Sequence, residues 1–250
     1  MRFDTHVHLC DKQFDKDRAQ CIAQADRVLE CAVSLENAGQ VLRLAAQYKS
    51  VYAAVGIHPS YCPPGEHITA ELDRLAVLVQ HPCCTSIGEI GLDKRADQPE
   101  FSLQQRLFAE QLDIAAMYRK PVSIHCVRAS GPLCDILRSR ECGRGFIHGF
   151  SMSKETARLC MDKGYLLGIG TVAAYTNGDR LRDVLRYIPK DRVVLETDSP
   201  YMPPEPQRGM RNVPDNLKIP AHVLAELWNC EIQQVYAVTY TNACTALGIV

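Results

Sequence analysis

Short apolar runs alternate with longer amphipathic stretches from one end of the chain to the other. The runs have strand length, and the stretches between them repeat apolar residues at helical spacing. Eight runs stand out: Arg2 to His8, Arg27 to Val33, Val51 to Ile57, Cys83 to Glu89, Pro121 to His125, Gly145 to His148, Tyr165 to Gly170 and Arg192 to Glu196. Strands alternating with helices predict βα units around a parallel sheet, and eight such units predict a (β/α)8 TIM barrel. Phe101, Phe108, Leu112 and Ala115 illustrate the helical stripe, on a helix opened by Pro99 near its first turn. Beyond the eighth run, Asp198 to Asn216 carries five prolines in nineteen residues, which predicts a shaped loop rather than an element. Two closing helices are predicted, from about Leu217 to Trp228 and from Glu231 to Leu247.

A length of 250 residues suits such a barrel as one domain over 1–250, and neither an internal repeat nor a linker divides it. No apolar run is long enough to span a bilayer, so no membrane contact is expected. The first strand begins at Arg2 and Phe3 without a leader pattern, and the twelve cysteines are scattered with no Cys-x-x-Cys. Reduced thiols in the cytoplasm are the expectation. The net charge of −1 gives no bulk field that would gather polyanions, so a nucleic-acid substrate would need a local cationic patch. Nothing marks an obligate protein partner.

Placed on this frame, the unusual polar residues fall at the C-terminal ends of the strands, where barrels of this kind build their active sites. His6 and His8 end the first strand, His58 follows the third, Glu89 ends the fourth, His125 the fifth and His148 the sixth, and Asp198 follows the eighth. His6 and His8 are one residue apart on a strand, so both rings share a face and can share a metal ion. Taken alone, that pair is as readily a coincidence. Glu89 stands between Gly88 and, two residues on, Gly91; a carboxylate buried there would need a cation. Single histidines such as His125 and His148 are more often satisfied core residues, and an Asp before Ser199-Pro200 is an ordinary turn residue. Their combination at successive strand ends points to a metal centre. Imidazole with carboxylate suits zinc and other transition ions, whereas all-oxygen sites favour magnesium.

Six motifs in order, Asp4-Thr5-His6-Val7-His8-Leu9, Gly56-Ile57-His58-Pro59, Gly88-Glu89-Ile90-Gly91-Leu92-Asp93, Ile124-His125-Cys126-Val127-Arg128, His148-Gly149-Phe150-Ser151 and Glu196-Thr197-Asp198-Ser199-Pro200-Tyr201, resemble the TatD family of metal-dependent hydrolases. The resemblance runs from end to end and includes Arg208-Gly209 with Arg211-Asn212. It implies an amidohydrolase-type barrel with two divalent ions, Mg2+, Zn2+ or Mn2+. His6, His8 and Asp198 would hold one, His125 and His148 the other, and Glu89 would bridge. It also implies a nuclease acting on single-stranded DNA ends, or a deacylase of aminoacyl-tRNA. Lys94-Arg95 in place of an aromatic pair, Cys126 in place of a serine, and Leu9-Cys10-Asp11 depart from the family pattern. The first two fall where the substrate pocket should be and leave it open.

The expected function is a metal-dependent phosphodiesterase of the 3′–5′ exodeoxyribonuclease type, acting on DNA ends or oligonucleotides. Asp198 would orient the attacking water and take its proton, with Glu89 between the ions. His58 would face the scissile phosphate or leaving group as an imidazolium, or else pack beside Pro59. Arg128, Arg208 and Arg211 are the candidates for holding phosphate, against a reading as exposed loop arginines paired with acids such as Glu205. Glu196 and Asp4 would fix ligand histidines from behind. Tyr61, Phe150, Tyr175 and Tyr201 are candidate stacking residues. The alternatives are an amide or ester hydrolase, including an aminoacyl-tRNA deacylase, and a noncatalytic barrel in a partner complex. Arginines lining the pocket would favour phosphate; an apolar pocket with one anchoring charge would favour an amide.

Overall fold

The computed structural model describes residues 1–140 and 143–249. Eight parallel strands run in chain order around one sheet: β1 (Phe3–Val7), β2 (Arg27–Cys31), β3 (Val51–Ala54), β4 (Cys84–Asp93), β5 (Val122–Val127), β6 (Gly145–Ile147), β7 (Tyr165–Ile169) and β8 (Val193–Leu195). First and last strands meet through Val7 and Ser199, with His8 N donating to Ser199 O at 2.7 Å and Asp198 N to His6 O at 2.9 Å. The architecture is that of a (β/α)8 barrel. Each predicted strand is present; β4 runs four residues past its expected end, and β6 and β8 are shorter than expected.

Helices α1 (Arg18–Ile22), α2 (Leu35–Gln47), α3 (Ile68–Leu78), α4 (Phe101–Met117), α5 (Ser130–Arg138), α6 (Lys154–Asp162), α7 (Asp179–Leu185), α8 (Lys218–Trp228) and α9 (Ile232–Leu247) complete the layer. A parallel sheet covered by helices has no solvent face, which is why its strands read as nearly continuous apolar runs. On α4 the stripe of Phe108, Leu112 and Ala115 is fully buried. Its N-cap is Glu100, so Pro99 lies just before the helix, where its carbonyl accepts from Gln104 Nε2.

Two glutamines on the buried face of α4 hold the strand ends beside it. Gln111 accepts from Ile57 N at 2.8 Å and donates to Ile57 O at 3.0 Å, and Gln104 accepts from Asp93 N at 2.9 Å. A buried amide side chain that satisfies both its groups on backbone fixes position as well as polarity. At the other end of the barrel, Ala243 and Leu247 of α9 pack with Phe3, Phe146 and Val194, and Asn242 donates to Lys190 O and Val193 O. The last helix therefore closes the N-terminal end of the barrel and leaves the C-terminal end open. Among the described residues no helix is long and apolar enough to cross a membrane, and the described cysteines are free thiols.

Candidate metal centre

Glycines let β4 lie close to its neighbour around Glu89. A Cβ on Gly88 would stand 2.8 Å from Ser123 Cβ, and one on Gly91, at φ 145°, would stand 2.0 Å from His125 O. Only a bare backbone fits there. The close approach brings Glu89 into the centre of the open end, where the rings of five histidines surround it. Glu89 Oε2 lies 3.3 Å from His6 Nε2 and 3.5 Å from His8 Nε2. Its other oxygen, Oε1, lies 2.8 Å from His125 Nδ1 and 3.6 Å from both His58 Nε2 and His148 Nε2. Asp198 Oδ1 completes the first side at 3.4 Å from His8 Nε2 and 3.9 Å from His6 Nε2.

The outer nitrogens of the rings decide which nitrogen is free. His8 Nδ1 donates to Cys31 O at 2.9 Å, and His148 Nδ1 lies 3.0 Å from Glu196 Oε1, so in each neutral ring Nε2 keeps the lone pair. His125 is turned the other way: Nε2 faces Asp93 Oδ2 at 3.2 Å and Nδ1 faces Glu89. His6 Nδ1 meets Ser123 Oγ at 3.0 Å. His58 differs, because its Nδ1 accepts from Ser60 N at 3.1 Å. In the neutral ring its Nε2 therefore carries the hydrogen and acts as a donor toward the cavity.

Among the described residues, three groupings bring ligand atoms within reach of one ion: His6, His8 and Asp198; His6, Glu89 and His148; and His58, Glu89 and His125. Imidazole nitrogens with carboxylate oxygens fit divalent cations of the zinc and manganese kind. Of the sequence-predicted ligands, His6, His8, His125 and His148 face Glu89, and Asp198 joins them through His6 and His8. The rings of His125 and His148, expected on one ion, stand 5.9 Å apart between centroids, each flanking Glu89 Oε1 from a different side.

Charge balance at the centre explains the shifted acidities. Burial opposes charge on His8 and His148, but Asp198 and Glu89 beside the first and Glu196 and Asp198 beside the second lift them to about 9 and about 10. Burial likewise opposes a charged Glu89, yet His58 and His6 hold it well below the ordinary carboxylate range. Burial prevails at His58 and lowers it to about 4. An imidazolium at His58 is thus not the form this pocket favours; the ring is a neutral hydrogen-bond donor near neutral pH.

Behind the centre, Glu196 takes both His148 Nδ1 and Gly149 N on Oε1, and a Cβ on Gly168 would stand 2.1 Å from its other oxygen. Asp4 touches no imidazole. Its oxygens accept from Thr197 N at 2.9 Å, Thr197 Oγ1 at 2.6 Å and His6 N at 3.4 Å, which joins β1 to the loop that presents Asp198. Asp198 itself has φ 58°, a left-handed conformation that Asp tolerates better than most residues and that turns its carboxylate over the histidines.

The cavity above the centre has a volume of about 910 Å³. Tyr61, Phe150, Val172, Leu181, Met202 and Met210 supply much of its wall. Of the expected stacking residues, Tyr61, Phe150 and Tyr201 line it, whereas Tyr175 is not among the lining residues and donates its hydroxyl to Pro203 O. Arg128, Arg208 and Arg211 are not among its lining residues. Arg211 is bound to Asp17 at 2.6 and 2.8 Å and lies over Phe14; Arg208 lies over Tyr175 and pairs with Glu205; Arg128 is exposed at the end of β5.

Two residues not named among the candidate site residues are central here. Asp93 is fully buried against His125, and Arg95 is the lysine or arginine of the cavity wall. Glu89, Gly91 and Asp93 alternate along one strand, a signal that was available in the sequence, but the glycines read as the strand's end.

An eight-stranded parallel barrel with histidines and carboxylates gathered at its C-terminal mouth defines a metal-dependent hydrolase. The chain belongs to the TatD related DNase family, whose family model matches residues 3–248. It is 31% identical to the uncharacterized metal-dependent hydrolase YabD of Bacillus subtilis over 97% of each chain. It is also 31% identical, over 99% of each, to the 3′-5′ ssDNA/RNA exonuclease TatD of Citrobacter koseri. The crystal structure of YjjV, a TatD homolog from Escherichia coli, superposes with a TM-score of 0.93 at 30% identity, covering 100% of this chain and 98% of that one.

Proposed function

We propose that this hydrolase, with residues 1–250 as one catalytic unit, cleaves phosphodiester bonds at the ends of single-stranded nucleic acid. The observation that carries the reading is Glu89, whose two oxygens face different groups of histidines and so suit a pair of cations. The relative from Citrobacter koseri, named for exonuclease action on ssDNA and RNA, supports the substrate class. His6, His8 and Asp198 would hold one cation and His125 and His148 the other, with Glu89 shared between them. Divalent cations held there supply a nucleophilic water near neutral pH and offset negative charge developing on the reacting oxygens.

The remaining work belongs to side chains. Asp198 stays ionised because His148 and His8 outweigh its burial, and it stands at the cavity floor to orient the attacking water and accept its proton. His58 donates from Nε2 to the oxygen that gains charge as the bond breaks. Asp93, Glu196 and Ser123 hold the rings of His125, His148 and His6 in place from behind.

One observation favours a second reading, an amide or ester hydrolase such as an aminoacyl-tRNA deacylase: the cavity wall is largely apolar and carries, among the described residues, a single arginine. A 5′-labelled single-stranded oligonucleotide and an aminoacyl ester, each offered to metal-stripped protein resupplied with Mg2+, Mn2+ or Zn2+, separate the two. A ladder of shortening products that needs metal and disappears in Glu89→Ala is the expected result. Ester cleavage with an intact oligonucleotide would replace the first reading with the second.

A further inference from the structure

We propose that Arg95 anchors a second anionic group of the substrate, a phosphate or carboxylate carried beyond the bond that is cut. The inference deepens the proposed function and rests on the substrate lying in this cavity.

Arg95 is the only lysine or arginine among the described residues lining the cavity. Its Nε lies 3.0 and 2.9 Å from the two oxygens of Asp93, and Nη2 donates to Oδ2 as well. One edge of the guanidinium is thereby fixed on a carboxylate that is itself fully buried and held from the other side by His125 Nε2. Nη1 has no hydrogen-bond partner within the described chain, and the side chain is 48% exposed. A guanidinium oriented on one edge and open on the other is preorganised to receive a second oxyanion without losing freedom on binding.

The setting makes that open edge useful. The cavity floor carries Glu89, Glu196 and Asp198, so a multiply charged substrate meets repulsion wherever no cation offsets it. Arg95 stands on the His125 flank, one carboxylate removed from the ring and beside the candidate ligands, where it is placed to hold the next charged group. A role limited to neutralising Asp93 would need only the fixed edge.

The test is calorimetric titration of the Mn2+-loaded protein with two matched pairs: thymidine 3′,5′-bisphosphate against thymidine 5′-monophosphate, and adipate against hexanoate. One anionic group of each probe is available to the metal centre and only the member with two anionic groups has another for Arg95. A charge-assisted pair predicts roughly a tenfold to hundredfold preference for the member with two. Arg95→Gln brings that ratio to about one, and Arg95→Lys, which keeps the charge without the fork, leaves a smaller preference. Lys94→Gln, whose ammonium lies over Phe101, keeps it in full. Preference in the nucleotide pair identifies the anion as phosphate. Preference in the dicarboxylate pair alone keeps the role of Arg95 and counts against a phosphodiester substrate. No preference in either pair, or one that survives in both Arg95 variants unchanged, overturns the proposal.

Discussion

At the N-terminal ends of the strands, Phe3, Phe146, Val194 and Leu247 pack without polar interruption, and the nearby Arg27 lies over the rings of Tyr52 and Tyr240. At the C-terminal ends, a few residues along the same strands, five histidines close in on a buried carboxylate. One end is held chiefly by apolar contact, with Asn242 bonded to Lys190 O and Val193 O. The other holds groups that only charges of opposite sign make tolerable in a buried place. The difference teaches that stability and chemistry are separated along the strand axis, so each can be damaged without the other.

The strongest way to break this comparison is at the mouth. Glu89→Gln should lower hydrolysis at least about a thousandfold, in line with removal of a group on which the reacting centre is built. A variant that keeps most activity would sink the bridging role. At the floor, Phe146→Ala should cost about 3–5 kcal/mol in denaturant unfolding, yet leave kcat of the folded fraction nearly unchanged. A large fall in kcat with normal stability would show that the two ends are not independent.

Smaller effects sharpen the picture. Glu196→Gln should weaken metal affinity by roughly tenfold to a hundredfold, read by competition with a chelator, because His148 loses the carboxylate behind it. Equal affinity in the variant would leave Glu196 with a packing role. The pH dependence follows from His8 at about 9 and His148 at about 10. Metal-free protein carries protons on both rings at neutral pH, and these must leave before the rings can serve as ligands. Affinity should therefore rise with pH through that window, and calorimetry in buffers of different ionisation enthalpy should register proton release near pH 7. Since both values are raised in the fold, their contribution to stability is complete below the ordinary imidazole range and is lost as pH climbs through about 9 and 10. The metal-free melting temperature should fall over that range, and the metal-loaded one should fall less.

The barrel was legible because alternating runs of strand and helix length leave few architectures open. The six candidate ligands could be assigned to one end of the barrel because each was expected to end or follow a strand, and position along a βα unit fixes the end to which a residue belongs. Contacts between units were not. Arg211 looked free for phosphate until Asp17, distant in sequence, was found against it. The charge on His58 depends on burial that several strands create together, and its free hydrogen depends on a turn at Ser60. The role of Asp93 was hidden by a local sign, since glycines, which end many strands, here let β4 continue beside β5.

The seam between β1 and β8 also sets when the candidate centre is complete. Thr5 and Leu195, 190 residues apart, are joined there, and the same seam brings Asp198 to His6 and His8. A chain still emerging from the ribosome holds its two earliest ligands without their last companion, so His6, His8 and Asp198 form a set only after nearly all of the barrel has been made. Synthesis of this hydrolase carries its own delay: an unfinished copy lacks part of its centre until the final strand has closed on the first.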